Sequence, residues 1–328
     1  EKGADMALPT DSRSLEMVAA STIDARLPDL VDGFFASNPL AARLLQRDHV
    51  KEDGGDKIRQ PLIYDKLPGG SYRGMDTFDV SKKNVITELV FDWKQYYVNV
   101  TLDGLTLLKN AGAKKVFDVV NAQMDIAKLS ASEYVGVDMF LDGTGNGGKA
   151  LTGLRAAVDN GDTVATYGGI TRSSTVGDPG NACRGNVNVT GGAFSLAFMN
   201  TEFNTAVIGN EKPDLILTTQ TIWNKWWERA QPAQRFQAGD SRSNMAKIGF
   251  SGIEMNGADV VVDSHVPSGF VYFLNTKWMK FIVHSSRLWT PTGWKYPTNQ
   301  DAAIQQLLLA CELVCQAPRL QALTTTVA

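Results

Sequence analysis

The chain has 328 residues, 43% hydrophobic and 20% charged, with 32 Lys and Arg against 35 Asp and Glu and a formal net charge of −3. That length suggests about two domains. The composition excludes a histone-like basic binder, an acidic solvating tail and disorder of the chain as a whole.

No apolar run approaches the roughly 18 residues needed to cross a bilayer. Phe270 to Leu274 is too short, and Glu312 interrupts the stretch from Leu307 to Cys315. No apolar segment of a signal peptide follows Glu1 to Asp5. The three cysteines, Cys183, Cys311 and Cys315, cannot make a disulfide framework, so a reducing cytoplasmic setting is expected. Thirty glycines point to loops rather than a helical bundle. The chain opens on Glu1, which leaves trimming, proteolytic removal of an upstream segment and a start at Met6 all open.

In residues 1–48 two short helical patterns, 14–25 and 38–46, are separated by Pro28, Gly33 and Pro39. They bury little alone and predict an arm that needs a partner surface. Residues 50–100 predict a long β-hairpin. Its outgoing strand is 57–64, and Pro61 marks an edge. Its tip, 67–74, is rich in turn formers. Its return, 85–102, alternates Leu89, Phe91 and Trp93, then Tyr96, Val98, Val100 and Leu102. That phase slip predicts a bulge or a change of sheet near Lys94 and Gln95.

A short helix is expected over 103–110. Residues 113–141 carry the strongest helical pattern, with Val116, Val120, Met124 and Ala127 recurring every three or four positions and Gly136 the one weak point. It ends at the glycine-rich stretch 142–148. Residues 143–192 read as loops. Beyond them come helices over 194–207 and 220–230, the latter carrying Trp223, Trp226 and Trp227. Strands are expected around Ile253 and over 214–218, 259–262, 271–274 and 279–283. Residues 301–315 fit a helix through Ile304, Leu307, Leu308 and Cys311, and a strand through Leu307, Leu309, Cys311, Leu313 and Cys315.

No catalytic, cofactor-binding or metal site emerges. Gly143 to Ala150 satisfies part of a phosphate loop, but Ala150 stands where Ser or Thr would hold Mg²⁺, and the stretch follows a helix rather than a strand. A helix cap with a flexible loop is the simpler reading. His49, His265 and His284 lack ligand spacing, and Cys311 and Cys315 read as buried thiols. Asp138 and Asp142 read as two carboxylates on a solvated helix face. Lys66 or Lys82 could join a neighbour's asparagine in an isopeptide bond, although a solvated lysine is simpler. The tryptophans suggest core or subunit contact before a sugar platform.

The shape is more informative. A lone hairpin is marginal in water, yet this one carries Phe78, Phe91 and Trp93 after an arm with no core of its own. Both pieces are expected to order only against another subunit. Deleting residues 50–95 is then expected to leave a folded subunit that no longer assembles.

The order of arm, long hairpin, long helix, glycine-rich loop and α/β domain resembles the major capsid protein of tailed bacteriophages with the HK97 fold. The stretches that carry the resemblance are Tyr167 to Ser174, Gly249-Phe250, Asn256 to Ser264, Phe270 to Asn275, Pro297 to Ala302 and Cys315 to Arg319. The resemblance implies an α+β architecture. Its parts are an N-terminal arm (1–48), an extended loop (49–98), a peripheral domain with a spine helix (99–152), an axial domain (153–275) and peripheral return strands (276–328). It also implies that 301–315 is a strand.

The implied work is mechanical and not enzymatic: self-assembly into pentamers and hexamers of an icosahedral head around double-stranded DNA, in a virion built in the bacterial cytoplasm. Portal, scaffolding and decoration proteins are the implied partners, with no cofactor and no membrane. Rival readings are an encapsulin-like shell, a monomeric carbohydrate- or surface-binding module, and a hydrolase.

Overall fold

A computed structural model describes residues 38–52, 54–104, 113–230 and 253–327. Most of the expected arm, residues 105–110 of the expected short helix, and Gly249-Phe250 lie outside the described residues.

Strand β1 (His49–Glu52), β4 (Lys94–Asp103), β12 (Met279–His284), β13 (Thr290–Pro291) and β14 (Ala302–Cys315) form the first sheet. β14 is its organiser. Residues 302–311 pair antiparallel with β4, while β12 and β13 pair along the other side. Early in β14, Ala303, Gln305, Leu307 and Leu309 are buried in alternation; from Leu309 onward every residue is buried. The strand thus begins half-covered and ends covered on both faces. That change blurred its period in the sequence, and the strand expectation for 301–315 holds.

Helix α2 (Ala113–Asp138) lies against β4. Ala127, Ala131, Val135 and Met139, four residues apart, are the buried line of this helix and the turn after it. Gly136 has a steric reason. A Cβ there would stand 2.8 Å from the His265 ring, and closer still to Asn38 Oδ1. Only a bare backbone lets both lie on the helix.

Helix α1 (Pro39–Asp48) buries Leu40, Ala41 and Leu44 completely against β12 and the turn before it. Asn38 donates from Nδ2 to Ser132 Oγ (3.0 Å), and Arg43 reaches Asp259 (3.3 Å). The chain then enters β1, which pairs parallel with β12. The described end of the arm, expected to need another subunit, is therefore packed on its own body.

The hairpin is corrected in the same sense. β2 (Ile58–Ile63) pairs antiparallel with β3 (Ile86–Phe91). Ile58, Gln60, Leu62, Leu89 and Phe91 are buried. Phe91 packs edge-on to Tyr167 (5.1 Å), and the Val90 N–H donates to Gly168 O (2.9 Å). Trp93 is half-buried, donates its indole N–H to Gly55 O (3.2 Å) and meets His284. The phase slip marks a change of sheet at Asp92-Trp93, two residues before the expected point. The ribbon leaves its partner there and enters the first sheet as β4, which includes Asp103 of the expected short helix.

The second sheet runs β7 (Asn186–Asn188), β15 (Ala322–Thr324), β11 (Val271–Leu274), β8 (Leu215–Thr218), β10 (Ala258–Val262) and β9 (Ile253–Met255). β8 and β10 are parallel, with α4 (Gln220–Ala230) on the connection between them. With α3 (Leu196–Thr205), α4 covers a core of Met199, Phe203, Ile216, Trp226, Val260 and Phe273. Trp226 is the buried member of the tryptophan trio, while Trp223 stacks on the part-exposed Trp227 (5.7 Å).

Between the sheets, residues 153–185 are fixed by a buried polar knot. The Asp159 carboxylate accepts from the N–H groups of Gly161, Thr163 and Val164. Arg172, over the Tyr167 ring, donates to the carbonyls of Ala156, Val164 and Cys183. These bonds replace the ladders that a loop lacks.

Candidate assembly surfaces

The hairpin beyond β2 and β3 spans residues 64–85 without strand pairing. It carries Leu67, Tyr72, Met75, Phe78 and Val80, all at least 63% exposed. Its internal ties are local and polar: Lys83 to Asp65 (2.6 Å), Tyr64 OH to Asn84 O (2.6 Å), and the Arg73 N–H to Asp76 (2.8 Å). Lys83 holds the Asp65 carboxyl below its ordinary range by its hydrogen bond, and Ser81 does the same for Asp79. One aromatic pair, Tyr72 and Phe78, meets edge-on at 5.0 Å. Nothing of this covers the apolar side chains, so the tip presents a local apolar surface on a thin ribbon.

A second surface lies where α2 crosses β4. A groove of about 1060 Å³ is lined by Tyr97, Tyr134, Val137, Asp138 and Asn146 among others. Tyr97 and Tyr134 are both more than 60% exposed, and Leu129 stands proud on the helix beside them.

The groove floor is rigid for a definable reason. Tyr96 OH donates to Asp138 Oδ2 (2.6 Å) and accepts from the Leu151 N–H (2.8 Å). Burial, with the Asp138 bond next, raises this phenol far above its usual range. Asp138 is thus half-buried and engaged, not on a solvated face as expected. Asp142 lies past the helix end and accepts from Thr144.

The phosphate-loop-like stretch lies past the end of α2 at Asp138 and forms a glycine-rich turn of its own. Gly143, Asn146, Gly147 and Gly148 take positive φ, and Lys94 Nζ donates to Gly148 O (2.5 Å). Cys183, Cys311 and Cys315 are buried. Burial pushes the Cys183 thiol up to about 11 and Cys315 to about 12. Lys66 and Lys82 are exposed. Among the described residues no three of His, Cys, Asp and Glu gather as a metal-holding group, and no helix is long and apolar enough to cross a membrane.

Two groupings escaped the sequence reading. His265 Nδ1 sits 2.9 Å from Asp263 and Nε2 sits 3.3 Å from Glu133, a tie between the loop after β10 and α2. Glu312 is fully buried within β14; Oε1 accepts from the N–H groups of Thr152 (3.0 Å) and Leu313 (3.1 Å). Burial pushes its carboxyl up to about 7. The only signal in the sequence was a charged residue inside an apolar run.

This α+β chain shares its fold with phage capsid proteins. The capsid protein of cyanophage A-1(L) superposes with a TM-score of 0.65 at 16% identity, covering 89% of this chain and 93% of that one. The capsid of the native GTA particle gives 0.58 at 10% identity, over 90% and 91%. The holo-SrpI encapsulin of Synechococcus elongatus PCC 7942 gives 0.55 at 11% identity, over 89% and 88%. No protein-family model matches the chain, and no curated protein matches it.

Proposed function

We propose that the chain is the major capsid protein of a tailed bacteriophage, a structural protein that assembles into pentamers and hexamers of an icosahedral head around double-stranded DNA. The observation that carries the reading is the likeness of fold to phage and GTA capsids over about nine tenths of the chain. The organisation we propose is the HK97 one: arm 1–48, extended loop 49–98, peripheral domain 99–152 and 276–328, axial domain 153–275. Portal, scaffolding and decoration proteins would be its partners in the virion, assembled in the bacterial cytoplasm.

The hairpin tip supplies the driving force in this reading. Each large apolar side chain covered by a neighbour contributes about 1.5–3 kcal/mol, and closed symmetry multiplies modest contacts. The exposed tip of one copy and the groove between α2 and β4 of another are the two faces we pair. Purified full-length protein is expected to give closed particles in negative-stain micrographs and a fast-sedimenting boundary. A stable monomer at all concentrations would overturn the reading.

A second reading, an encapsulin-like compartment, is favoured by the SrpI likeness. The two separate on contents: nucleic acid inside particles recovered from cells supports the phage head, and protein cargo without nucleic acid supports the compartment.

A further inference from the structure

Among the described residues the second sheet ends on one side at β7, which pairs there with β15 alone. The Asn186 N–H donates to Gln321 O (3.1 Å), and Asn188 O accepts from the Thr325 N–H (3.0 Å). Successive residues in a strand direct their N–H and C=O groups to opposite sides. Those of Val187 therefore face the open edge, where no strand lies among the described residues. Sheet edges are ordinarily blunted by short strands, lysine, proline or a bulge. At three residues β7 is a short edge, but Asn186-Val187-Asn188 carries neither lysine nor proline, and one residue, Val187, offers its backbone groups outward.

A polar cavity of about 550 Å³ lies against this edge, and its lining includes Asn160, Asn181, Arg184, Thr190 and Arg319. Among the described residues neither guanidinium has an ion-pair partner. Glu202, the carboxylate in the lining, already accepts from Asn188 Nδ2 (2.7 Å) and Thr324 Oγ1 (3.3 Å). An open backbone edge, amide side chains and a net positive lining, two guanidiniums against the one Glu202 carboxylate, thus converge on one cavity.

We propose that β7 is a docking edge for an extended acidic peptide strand of a partner protein, which adds a seventh strand to the sheet and places its carboxylates on Arg184 and Arg319. The backbone groups of Val187 select a polypeptide, because only a peptide repeats N–H and C=O at strand spacing. The guanidiniums select acidic side chains. A nucleic acid would satisfy the charges and leave the edge unpaired.

The test is fluorescence anisotropy with a labelled nine-residue peptide of alternating Glu and Thr, titrated into the full chain in its native assembly state. Saturable binding is expected, and no binding would overturn the proposal. N-methylating alternate backbone amides, in one of the two phases, is expected to weaken binding about tenfold, as loss of one or two hydrogen bonds does. That arm leaves the protein untouched, so its outcome does not depend on a variant's folding. Arg184→Glu with Arg319→Glu is expected to lose the Glu peptide and gain its Lys counterpart. Equal binding of both N-methylated phases would reduce the site to charge alone and overturn the proposal. So would displacement by oligothymidylate of equal charge. Binding to dissociated subunits but not to assembled particles would give the edge to a second copy and overturn it equally.

Discussion

The base and the tip of one hairpin obey different physics. At the base, β2 buries Ile58, Gln60 and Leu62 in strict alternation, and Leu89 and Phe91 answer from β3. At the tip, Leu67, Tyr72, Met75, Phe78 and Val80 have no cover. The base behaves as part of a folded body, while the tip behaves as half of an interface. Apolar content alone does not distinguish them; position relative to Tyr167 and Gly168 does.

The strongest test of that division is to cut on either side of it. Removing residues 50–95 takes four buried side chains out of the core, Ile58, Leu62, Leu89 and Phe91. At about 1.5–3 kcal/mol each, the loss is on the order of 10 kcal/mol, comparable to the whole stability of a domain. That deletion is expected to unfold the subunit in thermal melts, against the expectation drawn from sequence alone. Replacing residues 66–84 with a two-residue turn is expected to leave the melting transition in place and abolish closed particles. Particles of normal size from the shorter deletion would break the comparison.

Single substitutions sharpen it. Phe91→Ala is expected to cost about 3–5 kcal/mol in denaturant unfolding of the subunit. Phe78→Ala is expected to stay within about 0.5 kcal/mol, yet raise the concentration at which particles form by light scattering. Equal losses from the two would mean that the tip packs on its own subunit.

A glycine pair makes the same point without touching apolar area. Gly168 has φ of 55°, and a Cβ there would stand 2.8 Å from Leu89 Cδ2 and 3.1 Å from the Phe91 ring. Gly168→Ala is expected to cost about 2–3 kcal/mol, through strain and displacement of the hairpin base. Gly70 has nothing within 4 Å, and Gly70→Ala is expected to change subunit stability by less than about 0.5 kcal/mol.

Much of the body was legible in the sequence. Gln220–Ala230 and Val271–Leu274 fall where the patterns place them, because apolar period and bounding residues agree there. The phase slip before Tyr96 was legible as a bulge or a change of sheet. What was not legible was destination. Nothing in Leu40, Leu44 or Leu89 says whether the covering surface belongs to the same chain, since periodicity reports a buried face and not its partner. β15 was equally hidden: three residues, Ala322-Leu323-Thr324, join the second sheet through long-range pairing alone. The buried pair of His265 and Asp263 depends on the bare backbone of Gly136, a contact 129 residues distant in sequence.

The carboxylates of the two regions are expected to titrate in opposite directions. At the tip, Asp65 is lowered by Lys83, so its small contribution is present above the ordinary carboxylate range and lost only in strong acid. In the body, burial raises Glu312 to about 7, against backbone N–H bonds and Lys94 that lower it. A raised acid binds its proton more tightly in the folded state, so stability falls as pH climbs from the ordinary glutamate value to about 7. A shift of this size corresponds to something on the order of 3 kcal/mol. Glu312→Gln keeps the acceptor for Thr152 and Leu313 but puts an N–H donor where Oε2 has no partner among the described residues. That returns about 1–3 kcal/mol. The net gain at pH 8 is therefore expected to be about 0–2 kcal/mol, and the variant's melting temperature is expected to vary less between pH 5 and 8. Asp263 is also raised by burial, against the hydrogen bonds from His265 that lower it. An unchanged pH profile in the variant would place the wild-type titration elsewhere than in β14.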